Sequence, residues 1–191
     1  MNTLYIGMAI FIGIHLMPSV FPLRAMLIAK LGEGPYKGVY SLISLVGLVL
    51  IVYGKAYADF IPVWSPPSWA RFIPWVLMLP ALILIVGANV PCNIKRFSPH
   101  PMMWAVMMWA GAHLVANGDQ ASILLFAPFA LFALIHIVTA NMRGAVRQQE
   151  ALPLVSDMKV IAMGTVTYLI CLLYTSPSPR DAHESRMPSS A

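Results

Sequence analysis

Long apolar runs alternate with short polar segments along this chain. The runs cover residues 4–21, 39–58, 72–90, 100–119, 121–140 and 160–170. A helix that crosses about 30 Å of hydrocarbon needs about 20 apolar residues, and the sixth run has about half that length. The pattern therefore predicts an all-α fold, a polytopic helical membrane bundle of about six transmembrane helices with the last one truncated.

Composition supports the same class of protein. The chain is 59% hydrophobic and 10% charged, and its mean hydropathy is +0.76. A water-soluble domain could not cover that much apolar surface with so few charges, so the lipid bilayer is the expected partner. Only three residues precede the first run, none of them basic, and no small-residue cleavage site follows it. We therefore interpret this run as a retained helix and not as a secretory signal.

Basic residues predict the orientation of the bundle. They gather after runs one, three and five, so the positive-inside rule makes those segments cytoplasmic and places the N-terminus outside. The net charge of +5 belongs to that face, where it is solvated or meets anionic lipid. No basic motif interleaved with aromatic residues is present, which argues against nucleic-acid binding. The basic residues of these segments are Arg24, Lys30, Lys37, Lys95, Arg96, Arg143, Arg147 and Lys159.

The last segment, CLLYTSPSPRDAHESRMPSSA at residues 171–191, breaks the apolar pattern. The reverse translations of CLLYTSPSPRD and SRMPSSA resemble the two ends of a sequencing-library adapter. We therefore predict a membrane domain over residues 1–170 and a non-native, disordered tail over residues 171–191, produced by adapter read-through. The alternative is a genuine Ser- and Pro-rich tail, which would also be disordered.

Ionisable side chains inside a bilayer are costly, so each is a candidate for function. Four histidines lie in or beside the apolar runs: His15, His100, His113 and His136. His100 and His113 are about 20 Å apart along one helix and out of phase, so they cannot share a metal ion. Histidines on separate helices suit a haem, which takes axial imidazoles within an apolar pocket. The motifs HExxH and GxSxG and a phosphate-binding loop are absent, so no hydrolytic centre is indicated.

Structural roles compete with these functional ones. His15 and His113 could hydrogen-bond within the bundle, His100 could start a helix between two prolines, and His136 could bond at the interface near Asn141. His113 shares a helix face with Asn117, which a Gly118–Asp119 turn follows. Axial thioether ligation is less expected than packing for the methionines of the fourth run, Met103, Met107 and Met108.

The fourth run, with HLMPSVFPLR at 15–24, GPYKGVYSLISLVGL at 34–48 and ANMRG at 140–144, resembles the NnrU family of bacterial membrane proteins. The resemblance covers most of residues 1–170 and implies a multi-pass protein of the bacterial inner membrane, associated with nitrite and nitric oxide reduction. A plant relative, the plastid zeta-carotene isomerase, is a haem b protein. By this resemblance His15 and His113 are the axial ligands of a haem iron. Ala110 stands where the relative has a cysteine proposed as an alternate ligand, so a ligand switch is not expected.

The two expected haem ligands, His15 and His113, are predicted to lie at different depths in the membrane. On simple spans His15 lies about 17 Å below the outer boundary and His113 about 6 to 9 Å, at about 1.5 Å per residue. Axial nitrogens on one iron are only about 4 Å apart, at about 2 Å from the metal. If a structure separates these imidazoles, His15 with His100 or His136 becomes the pair to test.

Three functional hypotheses follow, and the sequence assigns no catalytic residue. The first is a haem-binding NnrU-type protein in nitrogen-oxide metabolism. The second is a haem-dependent cis-trans isomerase of an apolar polyene, and the third is a cofactor-free membrane assembly partner. The expected supporting residues around the haem ligands are His100, Asn117, Asp119, Arg24 and His136.

Overall fold

The part of the chain that the structure describes contains eight α-helices. The computed structural model describes residues 1–17 and 23–175, and this part of the chain contains no named strand. The helices are α1 (Asn2–Leu16), α2 (Leu23–Leu31), α3 (Glu33–Ala56), α4 (Ile73–Asn89), α5 (Ile94–Phe97), α6 (Pro101–Ala116), α7 (Gln120–Met142) and α8 (Leu154–Thr175). A 3-10 turn at Ser68–Phe72 leads into α4. The prediction of an all-α helical membrane bundle is confirmed.

The apolar runs locate six of the helices, with differences at their ends. The short helices α2 and α5 were not predicted, because neither contains an apolar run of spanning length. The helix of the second run begins at Glu33, before the run itself, since Gly32 adopts a positive φ of 84° that allows the chain to turn into it. The first run was predicted to reach residue 21, but α1 ends at Leu16, and residues 18–22 lie outside the described part of the chain.

Four helical segments are long and apolar enough to cross a membrane: Glu33–Ala56, Ser68–Asn89, Gln120–Met142 and Leu154–Leu173. The apolar helices α1 and α6 have only 15 and 16 residues, which corresponds to about 22 to 24 Å at 1.5 Å per residue. The chain is therefore a membrane protein whose six predicted crossings comprise four full-length helices and two short ones.

Helix α8 is longer than the sixth apolar run. It begins at Leu154, six positions before that run, and continues to Thr175. Its first turn includes Asp157, whose carboxylate accepts hydrogen bonds from the backbone and side chain of Asn93. The half-length run is therefore part of a helix that reaches spanning length. Residues 176–191 of the predicted non-native tail lie outside the described residues.

The long helices pack side by side in a definite sequence of neighbours. Helix α1 packs on α3 and α7, α6 packs on α7 and α4, and α4 packs on α8. The approach of α1 to α3 is close: a Cβ added to Gly54 would lie 2.7 Å from the Leu4 Cα, so only glycine fits there. A cluster of Leu4, Met8, Ile51 and Ala121 joins α1, α3 and α7.

Candidate functional site

His15 lies in the last turn of α1 among aromatic rings. Its ring stacks on Phe11 at a centroid distance of 4.2 Å and meets Tyr40 and Phe132 edge-on. Its Nδ1 lies 2.7 Å from the Phe11 carbonyl oxygen. A carbonyl oxygen only accepts hydrogen bonds, so Nδ1 carries the proton and Nε2 carries the lone pair. This arrangement, with one ring nitrogen fixed and the other available, is typical of metal-ligating histidines.

His113 lies in the last turn of α6, in a different aromatic environment. Its ring stacks on Phe126 at 4.8 Å and an interplanar angle of 12°, and Trp109 lies 6.1 Å away. The Asn117 side chain donates to the His113 backbone carbonyl at 2.9 Å and not to its ring. Among the described residues, no hydrogen bond fixes either nitrogen of the His113 ring.

No ring contact or hydrogen bond among the described residues joins His15 to His113 directly. They lie on α1 and α6, which both pack on α7, and the contact path between them runs through Phe11, Phe129 and Trp109. The two histidines contact α7 at different positions along its axis, because His15 contacts Phe132 and His113 contacts Phe126. Six residues of helix separate these positions by about 9 Å. One iron would need the two Nε2 atoms about 4 Å apart.

The histidines that the structure does bring together are His100 and His136. Their ring centroids are 6.3 Å apart and their planes nearly perpendicular. The Nε2 of His100 donates to the Asn141 Oδ1 at 2.8 Å, so Asn141 bonds to His100 and not to His136, the residue for which an interfacial hydrogen bond was expected. The Nδ1 of His136 is buried and has no hydrogen-bond partner among the described residues. Since buried polar atoms are nearly always paired, this atom calls for an explanation.

At the opposite end of α7, a hydrogen-bonded network that we call the Asp119 lock joins Asp119, Ser122 and Lys55. Asp119 caps that helix by accepting from the Ser122 backbone N–H at 2.9 Å, and its carboxylate also accepts from the Ser122 hydroxyl. The Lys55 ammonium, at the end of α3, donates to Asp119 and Ser122 at 2.9 and 2.8 Å. Burial raises the pKa of Asp119, but the hydrogen bonds from Ser122 and Lys55 outweigh it and lower the pKa below its ordinary value.

The turn before Asp119 is locked by the 57–67 loop. Gly118 accepts hydrogen bonds from the backbone N–H groups of Val63 and Trp64, and Gln120 donates to the Ile61 carbonyl. A Cβ on Gly118 would collide with the Trp64 carbonyl oxygen. Asn117, Gly118 and Asp119 therefore join α6 and α7 to this loop. Lys55 and Ser122 were not predicted from the sequence. Lys55 was detectable, because a lysine near the end of an apolar run needs a carboxylate to compensate its charge.

The other predicted residues lie outside the chain of ring contacts that links His15 and His113. Arg24 is exposed on α2 and contacts none of the four histidines in the described structure. Ala110 is fully buried in α6. Methionines 103, 107 and 108 are partly buried on the same helix.

The described residues contain no cluster of side chains suited to a metal ion. No group of three or more His, Cys, Asp or Glu side chains could hold a metal ion. Two open apolar grooves of about 340 and 460 Å³ lie on the surfaces of α4 and α3. Neither is lined by any of the four histidines. The grooves are lined by Phe72, Ile73, Val76 and Leu77, and by Leu48, Val49, Val52, Tyr53, Ala56 and Tyr57.

A family model described as NnrU protein matches residues 3–176. The chain belongs to the NnrU family. No curated protein and no solved structure matches it. The family match in this NnrU protein covers His15, the histidine pair on α6 and α7, and the Asp119 lock. It also extends past Ile170, where we predicted the domain to end, and that boundary stays a prediction.

Proposed function

We propose that this NnrU protein is a haem-binding membrane protein that takes part in bacterial nitrogen-oxide metabolism, with His15 as an axial ligand. The observation that carries the proposal is the hydrogen bond of His15 Nδ1 to the Phe11 carbonyl. No hydrogen bond to Nε2 is present among the described residues, so the lone pair of this nitrogen is available to a metal. Phe11, Tyr40 and Phe132 supply apolar surroundings suited to a porphyrin.

The ring contacts of His15 support haem ligation by His15, whereas no direct contact among the described residues supports His15 and His113 as a pair on one iron. The two imidazoles are linked through ring contacts of Phe11, Phe129 and Trp109. A haem held by His15 would supply iron chemistry towards a small ligand such as nitric oxide. What the chain itself contributes is the fixed tautomer of His15 and an apolar environment that excludes water.

The isomerase and the assembly partner are the alternatives. An isomerase of an apolar polyene needs an apolar cavity beside the haem, and none of the four histidines lines either of the two apolar grooves on α4 and α3. An assembly partner without cofactor would use His15 only to hydrogen-bond within α1.

The test is the absorption spectrum of the full chain, purified in detergent after expression with added haem precursor, with and without dithionite. We expect a Soret band that His15→Ala abolishes and His113→Ala keeps. Loss of the band in both variants would instead support the pair implied by the family resemblance. A wild-type protein without a Soret band would overturn the proposal and leave the assembly partner, while conversion of a supplied cis polyene would favour the isomerase.

A further inference from the structure

A cluster of basic groups lies where α6 begins and α7 ends. His100 precedes the first turn of α6, His136 lies in the last two turns of α7, and Arg143 follows the end of α7. Both His100 and Arg143 are close enough to His136 to interact with it electrostatically. In the described structure, Arg143 forms no ion pair. The cluster is therefore electropositive, which favours an anion over a metal cation.

The hydrogen-bonding state of this cluster also indicates a missing partner. Asn141 holds His100 through its Nε2 at 2.8 Å, whereas the Nδ1 of His136 is buried and unpaired. The His136 residue as a whole is only partly buried although its Nδ1 is buried, so its accessible surface belongs to other atoms. Rotation about χ2, a soft torsion for histidine, would exchange the two edges and present Nδ1 to a ligand at the surface.

The surroundings of the cluster point to an amphiphilic anion. Arg143 directly follows Met142, the last residue of a helix long and apolar enough to cross the membrane. Large apolar side chains are exposed nearby in the sequence, with 79% of Phe97 and 82% of Met142 accessible. The Trp104 indole, also exposed, donates to Ser98, whose hydroxyl accepts from the His100 backbone N–H. Aromatic residues and basic groups at a helix end are typical of the headgroup region.

We propose that His100, His136 and Arg143 form a binding site for the phosphate group of an anionic phospholipid. Arg143 supplies a permanent charge, and His136 supplies a ring nitrogen, Nδ1, that has no hydrogen-bond partner among the described residues. Asn141 fixes the His100 ring and so positions the site between α6 and α7. The site is separate from the haem ligation proposed for His15.

The test measures the midpoint temperature of unfolding, Tm, of the full chain in neutral detergent micelles. The additions are phosphatidylglycerol, phosphatidylcholine as the uncharged control, or inorganic phosphate. We expect phosphatidylglycerol to raise the wild-type Tm by several degrees, and His136→Leu and Arg143→Gln each to reduce that rise by at least half. Arg147→Gln, which removes an exposed charge at the same end, should keep the full rise.

Each outcome has a defined meaning. A Tm rise with inorganic phosphate that is lost in both site variants supports the phosphate site and assigns it to the free ion. An equal rise in wild type, Arg143→Gln and Arg147→Gln would overturn the site in favour of diffuse surface charge. Absence of any rise with either phosphate source would overturn it as well. Because Arg143 is exposed, its variant tests the proposal even if His136→Leu alters folding.

Discussion

The polar side chains at the two ends of α7 differ in how completely they are paired. At the Asp119 end, Lys55, Asp119 and Ser122 pair with one another, and the adjacent turn bonds to the 57–67 loop. At the His100 end, the Nδ1 of His136 is buried without a partner, and Arg143 has no ion pair among the described residues.

This difference separates groups that hold the fold from groups that are available to a ligand. A fully paired polar network stabilises the folded state, whereas an unpaired buried group destabilises it unless something binds there. We therefore expect substitutions at the two ends to have effects of opposite sign on stability. Three substitutions and one titration at these two ends test that expectation, and a fourth substitution, at the start of α3, has the smallest expected effect.

The largest effect is expected for Gly118→Ala, at the Asp119 end. The added Cβ would collide with the Trp64 carbonyl oxygen, and because backbone cannot move as freely as a side chain, we expect a loss of about 3 kcal/mol. Unfolding in detergent, followed by circular dichroism, measures this change.

The matched control is Gly111→Ala, in the interior of α6. A Cβ there meets nothing within 4 Å, and alanine is a better helix former than glycine by about 0.5 to 1 kcal/mol. This variant should therefore be slightly more stable than wild type. Similar losses in the two variants would contradict a specific role for the Gly118 turn.

Asp119→Ala should cost about 2 kcal/mol, because it removes a helix cap and leaves the Lys55 ammonium without its carboxylate. Denaturant or thermal unfolding provides the measurement. Asp59→Ala is the control, since Asp59 is an exposed carboxylate in the neighbouring loop. If Asp59→Ala is as harmful as Asp119→Ala, the stability comes from general surface charge and not from the lock.

Acid should weaken the same lock. The pKa of Asp119 lies below its ordinary value of 3.8 in the folded protein, so its contribution to stability is present above about pH 4 and is lost as the pH falls through the folded pKa. The difference in Tm between wild type and Asp119→Asn should therefore shrink between pH 6 and pH 3. A constant difference over that range would mean that the carboxylate charge is unimportant.

At the opposite end, His136→Leu should increase stability in neutral detergent by about 1 kcal/mol, because it removes an unpaired buried nitrogen. The comparison variant is His15→Leu, which breaks a hydrogen bond to the Phe11 carbonyl and should reduce stability. Tm values of apo-protein measured side by side decide the sign. Destabilisation by His136→Leu would show that the His136 ring already has a satisfied structural role.

The smallest effect is expected for Lys37→Gln. Its ion pair with Glu33 spans one helical turn at 2.8 Å, but both side chains are about two-thirds exposed. Solvent-exposed pairs contribute little to stability, so no measurable change in Tm is expected. A clear loss would indicate that the start of α3 is more important to the bundle than its exposure suggests.

The sequence predicted the helical elements better than the site. Apolar length located α3, α4 and α7, because a membrane-spanning helix must satisfy its own backbone hydrogen bonds. It missed α2 and α5, whose formation does not depend on a long apolar run. It singled out His100, His113 and His136 as costly polar groups, but a one-dimensional pattern could not indicate which of them meet.

The sequence by itself determined a helical membrane protein of the NnrU family with few, conspicuous ionisable residues. Only the tertiary structure decided their partners. It paired Lys55 with Asp119 across 64 positions of sequence, placed His100 beside His136, and connected His15 to His113 through the ring contacts of Phe11, Phe129 and Trp109. The physical reason is that apolar length fixes each helix separately, whereas contacts between helices depend on how α1 and α6 each pack against α7.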